Sequence, residues 1–222
     1  MSSKMLQGIR NVSVKRAIYK RALCCNINEY AISAVPAIST VPTNLSASNI
    51  TSSTAYISYT APSSTSTSYT ISYTPTGGST SKVTTTNTYY TLMLTSGTIY
   101  TIDVTSTNSE GTSSSSTSIT ILTIPSSPTV TVTSQSDSTM ILSYGTNGAT
   151  SYTLEYNDNT ITTSSTSTTI SNLNANTSYT IVVTASNSTG SSSSTSFTNT
   201  TDSISVNTPI TFSNIINDTV TL

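Results

Sequence analysis

The sequence predicts an all-β chain of two tandem β-sandwiches, on three observations: an internal repeat, apolar residues at every second position, and Pro or Gly between the runs. The repeat carries the most weight. Thr54-Ala55-Tyr56-Ile57-Ser58-Tyr59 returns as Thr139-Met140-Ile141-Leu142-Ser143-Tyr144, and Ser68-Tyr69-Thr70-Ile71-Ser72-Tyr73 returns as Ser151-Tyr152-Thr153-Leu154-Glu155-Tyr156. The run from Thr98 to Thr105 matches that from Thr177 to Thr184, and the turns Asn108-Ser109-Glu110-Gly111 and Asn187-Ser188-Thr189-Gly190 close the two copies. The offsets are 85, 83, 79 and 79 residues, always in the same order. Ordered recurrence of this kind marks a duplicated structural unit, and the shrinking offset assigns shorter loops to the second copy.

Within each block the alternation is that of a strand. Ile57 and Tyr59 fall on one face, with Tyr56, Ser58 and Thr60 on the other. Tyr69, Ile71 and Tyr73 share a face, and Tyr100, Ile102 and Val104 oppose Ile99, Thr101, Asp103 and Thr105. Period-two patterning is expected where one sheet face is buried and the other wet. Turn residues separate the runs at Pro62, Pro75-Thr76-Gly77-Gly78 and Asn147-Gly148, and no helical period intrudes between residues 42 and 200.

Composition agrees. Charged residues make up only 7% of the 222 residues and hydrophobic ones 34%, so the chain could pass for a disordered one. Disorder, however, goes with few β-branched and aromatic residues and high net charge. Here Thr, Ile and Val abound, there are 13 Tyr, and the net charge is −1. Trp is absent and Phe occurs twice, so Tyr is expected to fill the aromatic core, with a partner for each buried hydroxyl.

The residues also carry a family resemblance over about residues 42–200: each repeat resembles a fibronectin type III domain. Tyr59 and Tyr144 stand where the family's second strand usually ends in a buried Trp. Tyr69-x-Ile71-x-Tyr73 and Tyr152-x-Leu154-x-Tyr156 match its third-strand motif. Its Leu-x-x-x-Thr-x-Tyr signature is filled by Leu94, Thr98 and Tyr100, and again by Leu173, Thr177 and Tyr179. The resemblance implies two Greek-key sandwiches in which Tyr100 and Tyr179 are tyrosine corners, bonding back to upstream backbone. The missing Trp is the one departure from the pattern. Expected boundaries are a basic arm and extended linker over 1–41, domain 1 over 42–124, domain 2 over 125–200, and a C-terminal tail or extra strand over 201–222. Pro125 and Pro128 mark the boundary, with Ile124-Pro125 as a linker short enough to make the pair a semi-rigid rod.

The charges divide sharply. Lys4, Arg10, Lys15, Arg16, Lys20 and Arg21 hold six of the seven basic residues, and the first acid is Glu29. An arm of charge +6 therefore precedes a body of charge −7, which points the arm at something negative. Leu6, Ile9, Val12, Ile18, Ala22 and Leu23 interleave with the cations as in an amphipathic helix over 5–23, weakened by β-branched Val12, Val14 and Ile18. Adjacent Cys24 and Cys25 suit neither a disulfide framework nor a zinc site; free thiols are expected, with S-acylation as the alternative. The charges leave no apolar run that reads as a secretory signal, although an acid-free, Arg-containing start also fits a transit segment. The tail over 203–222, with Ile204, Val206, Ile210, Phe212, Ile215, Ile216, Val220 and Leu222, is the most apolar stretch at either end. It either packs at home or adds a strand to a neighbour, giving self-association.

Chemistry is conspicuous by its absence. There is no His, the commonest general base and catalytic metal ligand. Glu155 and Asp158 are the nearest pair of carboxylates, and Glu155 alternates away from Leu154. The runs Ser113–Ser116 and Ser191–Ser194 have no base to activate them, no phosphate loop or acidic calcium loop is present, and no cofactor is expected. Asn-x-Ser/Thr sequons at Asn11, Asn44, Asn49, Asn176, Asn187, Asn199 and Asn217 matter only in a glycosylating compartment. The sequence therefore predicts a non-enzymatic structural protein. The first expectation is a virion or capsid decoration, particle-associated, whose basic arm contacts acidic protein subunits. The second is a secreted or cell-surface adhesion module that binds glycan, with Tyr89-Tyr90 as the ring-stacking candidates against a packing role for both. The third is an adaptor held to nucleic acid or membrane through residues 4–21.

Overall fold

The computed structural model describes residues 37–205. All of their regular structure is β. In the first repeat, β1 (Thr43–Ser48), β2 (Thr54–Thr60) and β5 (Tyr89–Met93) form one sheet with β2 in the centre. The opposing sheet runs from β4 (Ser81–Thr85) through β3 (Ser68–Pro75) to β6 (Ile99–Asn108). The two short segments β7 (Gly111–Thr112) and β8 (Ile119–Leu122) both pair with β6. The chain crosses between sheets after β2, returns after β4 and crosses again after β5, giving Greek-key order.

The second repeat builds the same pair of sheets. β9 (Thr129–Gln135), β10 (Met140–Gly145) and β13 (Ser167–Ile170) face β12 (Asn159–Thr163), β11 (Ser151–Tyr156) and β14 (Ser178–Ser186), with β15 (Ser191–Ser193) and β16 (Phe197–Thr200) on β14. All pairings are antiparallel. The period-two patterning is realised residue by residue. Along β2, Ala55, Ile57 and Tyr59 are buried, while Tyr56 and Ser58 are half-buried and Thr60 is exposed. Each repeat closes its own core. One joins Ile57, Ile71, Leu92, Ile102 and Val104, and the other Leu142, Leu154, Ile170, Ile181 and Val183. Fully burying side chains of this size is worth about 1.5–3 kcal/mol each.

The polar atoms that such closure traps are all accommodated: among the described residues no buried side-chain nitrogen or oxygen lacks a partner. The final strand of each sandwich is broken, and a serine fills the break. Ser116 accepts from the Val104 N–H at 3.0 Å, and Ser194 accepts from the Val183 N–H at 3.0 Å. The hydroxyl-rich runs are thus partly structural.

Both sandwiches lie in one compact unit that begins at Ile38, and the segment 123–128 joins them through a dense polar seam. The Asn187 amide donates to the carbonyls of Thr123 at 2.9 Å and Gly148 at 3.2 Å, while its own oxygen accepts from the N–H groups of Thr189 and Gly190. Ser192 donates to the Pro125 carbonyl at 2.7 Å, and Ser126 bonds Thr146. At the centre, Gly97 of the β5–β6 connection meets Asn147 and Gly148 of the β10–β11 connection backbone to backbone. A Cβ on Gly97 would fall on the Asn147 carbonyl and stand 2.6 Å from the Gly148 Cα. Both glycines also hold positive φ, +57° and +71°.

Candidate functional site

The buried tyrosines determine which aromatic side chains are left for binding. Tyr59 and Tyr144 end the central strands β2 and β10 and are buried. Tyr59 meets Tyr69 edge-on with centroids 5.1 Å apart, and Tyr144 meets Tyr152 at 5.0 Å. The Tyr59 hydroxyl donates to the Asn87 carbonyl at 2.8 Å, and the Tyr144 hydroxyl pairs with that of Thr168 at 2.5 Å.

Burial pushes both phenols above the ordinary tyrosine value. Tyr69 adds to the rise at Tyr59; at Tyr144 the Thr168 bond opposes it and Tyr152 adds to it. Below about pH 10 these phenols are neutral in folded and unfolded chains alike, and stability is unaffected. Above it the unfolded chain releases protons that the folded chain retains, so stability falls as pH rises. Alkaline titration followed by tyrosinate absorbance and circular dichroism is expected to show late-ionising tyrosines appearing together with unfolding. Their ionisation in a chain that stays folded would refute this.

Tyr100 and Tyr179 are buried at matching places in β6 and β14, and each hydroxyl accepts a backbone N–H five residues upstream: Thr95 at 3.0 Å and Asn174 at 2.9 Å. Leu94 packs half-buried against the first core, and Leu173 lies within the second. A further pair escaped the sequence reading. Thr123 and Thr201 are buried just beyond the last strands. Thr123 donates to the Thr95 carbonyl at 2.7 Å and accepts from the Thr98 N–H at 2.9 Å; Thr201 repeats this with Asn174 at 2.5 Å and Thr177 at 3.0 Å. In so Thr-rich a chain neither stands out. Their recurrence just after each copy's last strand was the available signal.

The duplicated pattern identifies the chain's kin. The family model of the fibronectin type III domain matches residues 40–121 and again residues 124–201. The chain belongs to the fibronectin type III family. Among solved structures, a two-domain fibronectin type III segment of chicken tenascin is similar at 19% identity and TM-score 0.50, over 73% of this chain and 99% of that one. The FN1–FN3 domains of chicken CNTN1 match at 23% identity and TM-score 0.36, over 74% and 68% of the two chains. The FN5 domain of Drosophila Lar matches at 20% and 0.35, over 39% and 97%. These likenesses are of fold. No curated protein sequence matches the chain. Tandem fibronectin type III domains are generally non-catalytic structural and adhesive modules that mediate protein–protein contacts and typically work outside the cell or on its surface.

No constellation for chemistry forms among the described residues. Glu155 and Asp158 line a wide-open cleft of about 500 Å³ around the β11–β12 turn, with Asn157, Thr160 and Thr180. No three metal-ligating side chains converge among the described residues, and no described helix is long and apolar enough to cross a membrane. The cations Lys4, Arg10, Lys15, Arg16, Lys20 and Arg21, the pair Cys24-Cys25, and the tail from Val206 onward lie outside the described residues; Ile204, just before that tail, is 68% exposed and in no strand. The root of the arm is described, and hydroxyls pin it. Ser39 bonds Ser106 at 2.7 Å and Ser66 at 2.9 Å, and Ser106 donates to the Thr40 carbonyl at 2.6 Å.

One surface differs between the two otherwise matching domains. Tyr90 packs onto the first core, but Tyr89 is 50% exposed and stacks on Tyr56, with centroids 5.9 Å apart and planes 21° from parallel. Met93, farther along the same strand face, is 71% exposed. In the second domain the same register positions hold Ile141 and Ser167.

Proposed function

We propose that this fibronectin type III protein is a non-enzymatic structural component of a particle, a virion or capsid decoration. In this reading its basic N-terminal arm is the anchor and its two sandwiches are the displayed part. The observation that carries the proposal is the segregation of charge. Between residues 37 and 205 the only basic residue is Lys82, against Asp103, Glu110, Asp137, Glu155, Asp158 and Asp202. A surface so poor in cations offers little to a negative lattice, whereas six cations precede it within 28 residues. The hydroxyl network at Ser39 ties the arm's root to domain 1, so tension on the arm reaches the sandwich directly.

The test compares the full chain with one lacking residues 1–28 in co-sedimentation with an acidic particle across a salt series. Truncation is expected to abolish association, and salt to weaken that of the full chain steeply as the Debye length shrinks below about 10 Å. Association that survives truncation would place the anchor elsewhere. Equal retention on DNA or anionic vesicles would favour the adaptor reading.

A second reading, a surface adhesion module, is favoured by the outward-facing stack of exposed Tyr89 on half-buried Tyr56. The fold does not require that pair, since domain 2 is built without it.

A further inference from the structure

We propose that the outer face of the β1–β2–β5 sheet is a binding site for a neutral saccharide, with Tyr89 as the contacting ring and Tyr56 as the residue that positions it. This rests on the adhesive reading and is independent of the arm.

The register places the two rings. Ser58 stands opposite Tyr89 and Tyr56 opposite Thr91, so the tyrosines are diagonal neighbours on one sheet face. Diagonal pairs lie within reach of aromatic side chains. Tyr56 thereby holds the Tyr89 ring in one orientation before any ligand arrives, which lowers the entropy lost on binding. Hydroxyl groups surround the pair: Ser46 and Ser58 bond each other at 3.0 Å across β1 and β2, and Thr91 flanks them on β5.

The chemistry of the face selects the ligand. None of the residues of β1, β2 or β5 is charged. Lys82, the one cation of the two domains, belongs to β4 in the opposite sheet. An anionic sugar or an acidic peptide would find no counter-charge on these three strands. A protein partner of ordinary composition would bury Arg or carboxylate groups against hydroxyls that cannot neutralise them. A neutral sugar has what the face lacks and needs. The C–H groups of its ring carry partial positive charge that suits the electron-rich face of an aromatic ring, and its hydroxyls donate to and accept from Ser and Thr equally well. Exposed Tyr89 and Met93 also cost solubility that domain 2, with Ser167 and Ile141 at the tyrosines' places, does not incur.

The experiment is affinity electrophoresis of the full chain through gels holding a β-glucan, a mannan, a galactan or dextran, with alginate as the anionic control. Retardation by at least one neutral polysaccharide is expected, weakened roughly tenfold by Tyr89→Ala, a loss of the size that one aromatic contact supplies. Tyr89→Phe should retain it, and Tyr56→Ala should weaken it less than Tyr89→Ala. All three substitutions are on the surface and leave the buried cores untouched. If no neutral polysaccharide retards the chain, both the site and its glycan-adhesion basis fall. If one does and Tyr89→Ala changes nothing, the adhesive reading stands and this site is wrong. Retardation by alginate alone, abolished by salt, would assign binding to the basic arm and overturn the proposal.

Discussion

Gly148→Ala is expected to part the two sandwiches while leaving each folded. The methyl group would lie against the backbone of Gly97, where the Gly97 carbonyl carbon is 2.6 Å away. No flexible side chain stands there to give way. Two penalties therefore add. A non-glycine residue at φ +71° costs roughly 1–2 kcal/mol, and forced overpacking costs about 1–3 kcal/mol more. The first is paid inside the β10–β11 connection whether the domains touch or not. Only the second acts on the contact, and it is relieved when the domains separate. Every 1.4 kcal/mol changes the docked fraction about tenfold, so an opening of one to two decades follows. Gly97→Ala should do the same from the other side. Asn187→Ala should act in the same direction by removing the amide that bridges Thr123 and Gly148. The check is rotational correlation time by NMR relaxation, with small-angle scattering as a second measure. Faster tumbling of each domain at unchanged secondary structure is the expected result. A variant that tumbles as the parent does would show that the Gly97–Gly148 approach does not hold the domains together.

The sandwiches were legible in the sequence because their cause is local. Alternation in Thr54–Thr60 and Ile99–Asn108 follows from which side of a strand faces the core, and that is written in adjacent residues. The contact between Gly97 and Gly148 has a different origin. It depends on two turns 51 residues apart in sequence meeting across the 123–128 linker, and nothing near either glycine announces the other. Asn187 illustrates the same limit. As part of Asn187-Ser188-Thr189 it reads as a sequon, yet its side chain holds the seam between domains. Asn199, another sequon residue, donates to Gln135 at 2.6 Å. The tyrosines fall between these cases. That Tyr must replace Trp and Phe in the core was plain from composition, but which Tyr stays outside was not. Tyr89 and Tyr90 are neighbours with identical side chains, and only the register against β2 turns one inward and the other out.

Tyr144→Ala is expected to cost domain 2 about 3–5 kcal/mol, the range for truncating a large buried aromatic. Tyr144 is 2% exposed at the end of the central strand β10 and touches Tyr152 across the core. Against the 5–15 kcal/mol that holds a typical domain, this is a large fraction, and it corresponds to roughly 15–30 °C in Tm for a unit of this size. The two cores share no residue. Scanning calorimetry should therefore split one transition from another, with domain 1 melting near its original temperature and domain 2 well below. Tyr144→Phe isolates the hydroxyl. It keeps the ring and loses the Thr168 bond, and Thr168 is only half-buried, so water can satisfy the orphaned group. A loss of about 0.5–1.5 kcal/mol follows, and it should be accompanied by a smaller fall in stability at alkaline pH, because one raised phenol is gone. Tyr89→Ala, by contrast, should leave Tm within about 1–2 °C of the parent, since half of that ring already faces water. If Tyr144→Ala and Tyr89→Ala shifted Tm equally, the division of the tyrosines between a structural set and a binding pair would be wrong.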